Sequence, residues 1–208
     1  MFVEYAEKLI EEDVRVKNEF YICPMYNYLI QDGLKVGIQP AEKMHVLGTP
    51  AELEFFVDHV TPRFGEKPVA LCCDHSGFKI KEQARMLMEH DGIPYIDFGT
   101  HINKDCDYNE YVSQAHRAMK DKTCDFAMGF CRTGQGVNIL ANHLDGVRAA
   151  LIFDEHTAEH SIRHNCANFF SVPEKYVDTN KLREIIKVLC SSSFDGGRHM
   201  TRMKKTIG

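Results

Sequence analysis

Two spacings of hydrophobic residues alternate along the chain from Val69 onward. Short apolar runs are each followed by a segment whose apolar residues recur every three to four positions. The short runs are typical of buried strands, and the longer segments of amphipathic helices. The pattern predicts strands at 69–72, 95–98, 126–130, 147–153 and 169–172, and helices at 78–90, 109–119, directly after 131–136, 154–164 and 180–190.

Alternation of strands and helices predicts an α/β fold. We expect a Rossmann-like three-layer α-β-α domain over residues 67–208, with a five-stranded parallel sheet and right-handed crossovers. Ligands bind such sheets at the carboxyl ends of the strands. The loops to inspect are therefore the polar ones that follow the strands, at 74–75, 107–108, 131–136 and 154–157.

Residues 1–66 follow a different pattern and predict a small α+β extension. Helical spacing covers residues 2–12 and 25–30, the second ending at Asp32-Gly33, and strands are predicted at 34–38 and 44–47. Thr49 and Glu52 form a capping box that opens a helix extending to Val60. Residues 61–68 are interpreted as a linker.

Composition narrows the function classes. The chain has 208 residues, 44% hydrophobic and 26% charged, with a net charge of −5 and a pI of about 6.1. The absence of a basic tract argues against nucleic acid, and no apolar run approaches the roughly 18 residues that span a bilayer. Eight cysteines without a Cys-x-x-Cys pair indicate reduced thiols in a cytoplasmic protein.

The turn at 131–136 contains the most suggestive chemistry. Cys131 ends a buried strand, and the turn adds the hydroxyl of Thr133 and flexible backbone at Gly134 and Gly136 before a helix begins. Unpaired N–H groups and the helix dipole favour an anion there, and they lower the pKa of a nearby thiol. Such a turn suits an enolate or enediolate oxygen. A glycine turn beside an inert buried cysteine is the alternative that these residues leave open.

Four further groups are candidates, each with a plainer alternative. Asp74-His75 is an acid/base pair or an ordinary polar loop. Arg198 and Arg202, four residues apart, form an anion clamp or a charged tail. His164-Asn165 lies at a helix end, where both side chains can reach a ligand. Two of the histidines at 156, 160 and 164 with a carboxylate are a zinc ligand set, but all three span about 12 Å along one helix face and cannot ligate one ion. We therefore expect no metal and a solvated stripe.

Seven motifs in order resemble the ribose-5-phosphate isomerase B family, which includes galactose-6-phosphate and allose-6-phosphate isomerases. They cover about two-thirds of the chain and are 73–78 (CDHSGF), 97–100 (DFGT), 107–108 (DY), 131–136 (CRTGQG), 146–150 (GVRAA), 161–165 with Asn168 (SIRHN), and 194–202 (FDGGRHMTR).

The resemblance implies aldose–ketose isomerisation of a sugar phosphate through a cis-enediolate, without metal or organic cofactor. Ribose 5-phosphate and ribulose 5-phosphate, in the pentose phosphate pathway, are the default pair. A hexose or tetrose phosphate such as galactose 6-phosphate is an alternative substrate. A different class of alternative is a sugar-phosphate-binding protein without catalysis.

Residue roles follow from the same resemblance. Cys131 matches the base that moves a proton between C1 and C2, and His164 matches the residue that opens the ring. Thr133 with the glycine turn matches the oxyanion site, and Asp74 contacts the ring oxygens. The substrate-binding positions that the resemblance implies are His75, Asp107, Tyr108, Arg132, Gly134, Gly136, Asn165, Lys175, Arg198 and Arg202. Family sites lie between subunits, which implies a homodimer or tetramer in which His164 and Asn165 face a neighbour's Cys131.

Four positions depart from the family pattern. Arg132 replaces a glycine within the oxyanion turn, where it adds a cation beside the reacting carbons and is expected to adopt φ values that arginine disfavours. Arg132 therefore either binds an extra substrate charge or blocks the site. Asn109 replaces a proline, Lys175 an arginine and His143 a lysine.

A second resemblance covers part of the N-terminal extension. Residues 20–30 and 45–54 resemble the C-terminal end of sugar-phosphate nucleotidyltransferases, without the glycine-rich nucleotide loop or the metal-binding aspartate strand. We interpret the extension as a remnant that packs or oligomerises.

Overall fold

A computed structural model of the protein describes residues 2–40, 44, 48–53 and 67–207, and the chain divides into two compact units, residues 1–42 and 43–208. The predicted boundary at 66, the strand at 44–47, the helix as far as Val60 and most of the 61–68 linker lie outside the described residues. The capping box is confirmed, because the Thr49 N–H donates to Glu52 Oε2 (3.0 Å) and the Glu52 N–H donates to Thr49 Oγ1 (3.2 Å).

The first unit contains helices α1 (Phe2–Glu11) and α2 (Met25–Gln31), which confirm both predicted helices. The hydroxyl of Tyr5 on α1 donates to Asp32 at the end of α2 (2.8 Å). The strand predicted at 34–38 is wrong: these residues are irregular and exposed. An alternating pattern forms a strand only where a neighbouring strand accepts its backbone hydrogen bonds, and no ladder partner for 34–38 exists among the described residues.

The second unit contains the predicted five-stranded parallel sheet, in the order β2-β1-β3-β5-β4. Its strands are β1 (Val69–Cys73), β2 (Tyr95–Asp97), β3 (Ala127–Cys131), β4 (Ala149–Leu151) and β5 (Phe169–Pro173). Its helices are α3 (Phe78–Asp91), α4 (Tyr108–Lys120), α5 (Gln135–Ala141), α6 (Glu155–Arg163), α7 (Thr179–Ser191) and α8 (Gly197–Ile207).

Burial explains why the strand predictions hold best at the centre. Every residue of β1, β3 and β5 is buried, so each reads as a continuous apolar run. The outer strand β4 has three residues, whereas the prediction of 147–153 gave it seven. Beyond its end, Ile152 packs into the core, and its N–H still donates to the Ser171 carbonyl of β5 (3.0 Å). No helix in the described part of the chain is long and apolar enough to cross a bilayer.

Candidate active site

The carboxyl ends of three central strands bring the predicted loops together. In the parallel register Cys73 pairs with Phe130, and Cys131 pairs with Pro173. The loop after β1 contains a 3-10 turn at His75–Gly77. A Cβ on Gly77 would lie 2.2 Å from the Phe130 carbonyl oxygen and 2.9 Å from the Cys131 nitrogen, so only glycine allows this approach. The Asp74-His75 loop therefore lies directly against the end of β3.

Both side chains of that loop are held in place. The Asp74 carboxylate is buried and accepts the Gly77 N–H at 2.9 Å. The half-buried His75 is held through Nδ1, which lies 3.1 Å from both the Cys106 nitrogen and the Cys106 carbonyl oxygen. Asp105 Oδ1 lies 3.8 Å from the other ring nitrogen, Nε2.

The turn after β3 has the backbone that its glycines predict. Gly134 has φ of +74°, and a Cβ there would lie 2.3 Å from Leu151 Cδ1. At Gly136 a Cβ would lie 2.5 Å from the hydroxyl oxygen of Tyr108, so Tyr108 packs directly over the start of α5. The Cys131 side chain is buried, whereas Arg132 and Thr133 are exposed.

The expected strain at Arg132 is wrong. Arg132 is not among the residues with positive φ, because Gly134 alone takes the left-handed conformation in this turn. Backbone hydrogen bonds from the end of β5 fix the turn instead. The Glu174 N–H donates to the Cys131 carbonyl (3.0 Å), and the Lys175 N–H donates to that of Arg132 (3.1 Å). Arginine therefore fits without cost to the backbone.

The thiols near the turn differ in their surroundings. Burial raises the pKa of Cys73 to about 12, although Lys81 opposes the shift, and burial raises the pKa of Cys72 well above its usual value. On other elements, burial raises the pKa of Cys124 and of Cys190 to about 11. These four thiols stay protonated at neutral pH, which makes them packing groups. Cys131 ends β3 at the start of the glycine turn, where Gly77 brings the Asp74-His75 loop against it.

A second group of predicted residues lies at the opposite edge of the sheet. Helix α6 follows β4 and returns to the start of the parallel strand β5, so His164 and Asn165 at its end lie near the amino ends of the strands. Helix α8 joins them there: the His164 and His199 rings stack in parallel at 4.3 Å. Arg163 and Asp195 form an ion pair at 3.1 Å that ties the segment before α8 to α6.

Positive charge is concentrated in this second group. Helix α8 confirms that Arg198 and Arg202 share a helix, and both are exposed. Burial first, and then the charges of His164, Arg198 and Arg202, lower the pKa of His199. The two exposed guanidiniums beside His199 give this surface positive charge, which suits a phosphate dianion. His199 lies within one of the seven motifs, but no role was predicted for it. Its ring stacks on that of a residue 35 positions earlier, and no local sequence pattern indicates such a contact.

The predicted residues thus form two half-sites. The first half-site, at the carboxyl edge, comprises Asp74, His75, Tyr108, residues 131–136 and Lys175. The second half-site, at the amino edge, comprises His164, Asn165, Arg198, His199 and Arg202. The five residues of β3 separate the edges by about 13 Å at 3.3 Å per residue, so one chain does not bring Cys131 to His164. Asp107, exposed at the start of α4, makes no side-chain capping bond.

Comparison with known proteins identifies this arrangement. A family model described as Ribose/Galactose Isomerase matches residues 69–206. The chain belongs to the Ribose/Galactose Isomerase family. Ribose-5-phosphate isomerase B of Escherichia coli is 30% identical over 138 residues, which are 66% of this chain and 93% of that protein.

Solved structures of the family share the fold. Ribose-5-phosphate isomerase B of Clostridium thermocellum is 33% identical with a TM-score of 0.65, over 67% of this chain and 95% of that one. The enzyme of Mycoplasma genitalium, solved with bound ribulose 5-phosphate, is 26% identical with a TM-score of 0.64, over 68% and 95%. The family model begins at residue 69 and leaves the N-terminal extension uncovered, so the nucleotidyltransferase resemblance of the extension stays a prediction.

The other departures from the Ribose/Galactose Isomerase pattern fit their places without distortion. The Asn109 carbonyl, in the first turn of α4, accepts the Ser113 hydroxyl (2.8 Å). His143 is exposed and bonds through Nδ1 to the Ile139 carbonyl (2.8 Å). Lys175 is exposed beside Tyr176, with its Nζ 5.9 Å from the ring centroid. None of the three enters the interior of the domain, and Lys175 and Arg132 are the two departures that belong to the first half-site.

Proposed function

We propose that the protein interconverts an aldose phosphate and a ketose phosphate, with ribose 5-phosphate and ribulose 5-phosphate as its pair. The observation that supports this most is the close approach of the Asp74-His75 loop to the Cys131 turn, which Gly77 permits. Proton transfer beside a carbonyl needs a base, an oxyanion site and a held substrate. The two half-sites offer all three.

The proposed roles divide between the half-sites. Cys131 moves the proton between C1 and C2, and Thr133 with the N–H groups of the glycine turn stabilises the enediolate oxygen. Asp74 contacts the ring oxygens. From the second half-site, His164 opens the furanose ring and Asn165 bonds a sugar hydroxyl. The phosphate is bound by Arg198 and Arg202 on one side and by His75 on the other, which anchors the far end of the sugar.

We also propose that a complete site needs two copies of the chain. The first half-site of one copy would face the second half-site of another, because the two lie at opposite edges of one sheet. A two-fold axis between the copies would create two equivalent complete sites, in a homodimer or a tetramer. Eight free cysteines support a reducing compartment, and we propose the cytoplasm and the pentose phosphate pathway as the setting.

A substrate panel tests the proposed function. The purified full-length protein is offered ribose 5-phosphate, galactose 6-phosphate, allose 6-phosphate and a tetrose phosphate, and ketose formation is followed. We expect the highest kcat/KM on ribose 5-phosphate. Preference for another sugar would keep the reaction and change the substrate. Binding without turnover on any sugar would replace the enzyme with the sugar-phosphate-binding alternative.

Arg132 is expected to limit activity on ribose 5-phosphate. Its exposed guanidinium has no hydrogen-bond or ion-pair partner within the described part of the chain, and it projects from the turn that begins at Cys131. Arg132→Gly should raise kcat/KM on ribose 5-phosphate about tenfold, equal to about 1.4 kcal/mol. Arg132→Lys, which keeps the charge, is the matched control and should show no gain. A loss of activity in Arg132→Gly would instead assign Arg132 to binding an additional substrate charge.

A further inference from the structure

Helix α6 presents two histidines and a carboxylate on one face. His156, Glu159 and His160 occupy positions i, i+3 and i+4, so their side chains lie together. One ligand atom from each lies within 4.8 Å of the others, and among the described residues this is the group with metal-ligand spacing. The structure thus identifies Glu159 as the carboxylate beside two of the three histidines, and leaves out His164.

We propose that His156, Glu159 and His160 bind a divalent transition-metal cation, Zn²⁺ in first place. Two imidazoles and one carboxylate form a ligand set that Zn²⁺ adopts, with a fourth position open to water. Ligand atoms about 2.1 Å from a tetrahedral ion are separated by about 3.4 Å. Side chains at the surface of α6 close the difference from 4.8 Å by small rotations about their own bonds.

The hydrogen bond of His160 prepares it as a ligand. Its Nδ1 lies 3.0 Å from the backbone carbonyl oxygen of His156, an acceptor, so Nδ1 carries the proton. The lone pair of the neutral ring is then on Nε2. Metal-binding histidines are oriented in this way by a carbonyl or carboxylate on the other ring nitrogen. The rings of His156 and His160 already lie together, with centroids 4.1 Å apart.

Glu159 supplies the negative charge. Its carboxylate accepts a charge-assisted hydrogen bond from Arg163. Arg163 lies 2.8 Å from Glu159 Oε1 and also pairs with Asp195. When Glu159 turns toward a cation, Asp195 remains to balance Arg163. The helix can therefore bind the ion without leaving an unpaired guanidinium.

Titration with Co²⁺ tests the site on the full-length protein, because its absorption distinguishes the ligands. Ligation by nitrogen and oxygen gives weak visible bands, whereas cysteine adds a sulfur-to-cobalt charge-transfer band. We expect one equivalent bound without the charge-transfer band, and displaced by Zn²⁺. His156→Gln and Glu159→Gln should each weaken the affinity at least about tenfold, since even a change beyond the ligands costs that much.

The matched control is His90→Gln. His90 is an exposed histidine beside the carboxylate of Asp91 (2.7 Å), but it has no second histidine one turn away. Its loss should leave the affinity unchanged. A second measurement is the midpoint of thermal unfolding, which Zn²⁺ should raise in the wild type and in His90→Gln but not in His156→Gln. Unchanged Co²⁺ affinity in both α6 variants, or a dominant charge-transfer band, would overturn the proposal. Neither outcome depends on isomerase activity.

Discussion

Cys131→Ala should lower kcat on ribose 5-phosphate by about 10²–10⁴-fold, the range that a positioned general acid–base contributes. The thiol lies where β3 meets the turn, against the Asp74-His75 loop that Gly77 brings close. Alanine keeps the small apolar volume of a buried position, so the fold should persist. The residues proposed to bind the phosphate lie on other elements and are unchanged by this substitution.

The measurement separates chemistry from binding. Steady-state kinetics should show a lower kcat with KM nearly constant, and calorimetry should show unchanged affinity for ribose 5-phosphate. Cys124→Ala is the control, because Cys124 is also buried on this face of the sheet but burial raises its pKa to about 11. It should retain full kcat. Equal turnover of Cys131→Ala and the wild type would remove the thiol from the proton-transfer step.

The fold was predictable where burial alone decides the pattern. Central strands such as β1 and β3 are enclosed on both faces, so an apolar run between turn residues specifies them. The strand predictions fail where a neighbouring strand determines whether a segment is paired. Residues 34–38 have a strand-like spacing but no neighbouring strand in the part of the chain that the structure describes. The apolar run around β4 is longer than the strand, because only Ala149–Leu151 pair in register with β5.

The candidate site, too, was predictable only in part. The first half-site follows from one rule, that ligands meet the carboxyl ends of parallel strands. The second half-site escapes that rule because His164 and Arg198 lie at the amino edge, and only the family resemblance connected them to Cys131. The stacking of His164 on His199 depends on how α8 returns to α6, which no local pattern encodes. The backbone at Arg132 was mispredicted because the glycine two positions later absorbs the positive φ.

The separation of the half-sites leads to the second large effect, which is recovery of activity by mixing two inactive variants. Cys131→Ala disables the first half-site, and Arg198→Gln disables the second. In a mixed dimer, one of the two shared sites receives both defects and the other receives none. Equal mixing, with subunits exchanged by dilution and reassociation, should therefore restore about a quarter of wild-type activity, because half of the dimers are mixed and each has one intact site.

The control mixture combines two defects of the same half-site. Cys131→Ala with Thr133→Ala gives mixed dimers in which every site contains one defective first half-site, so activity should stay at the level of the separate variants. Recovery in the first mixture and not in the second requires Cys131 and Arg198 to act from different chains. Absence of recovery in both, with subunit exchange verified by mass, would mean that one chain completes its own site. It would also contradict the separation of about 13 Å that the length of β3 places between the first and second half-sites of one chain.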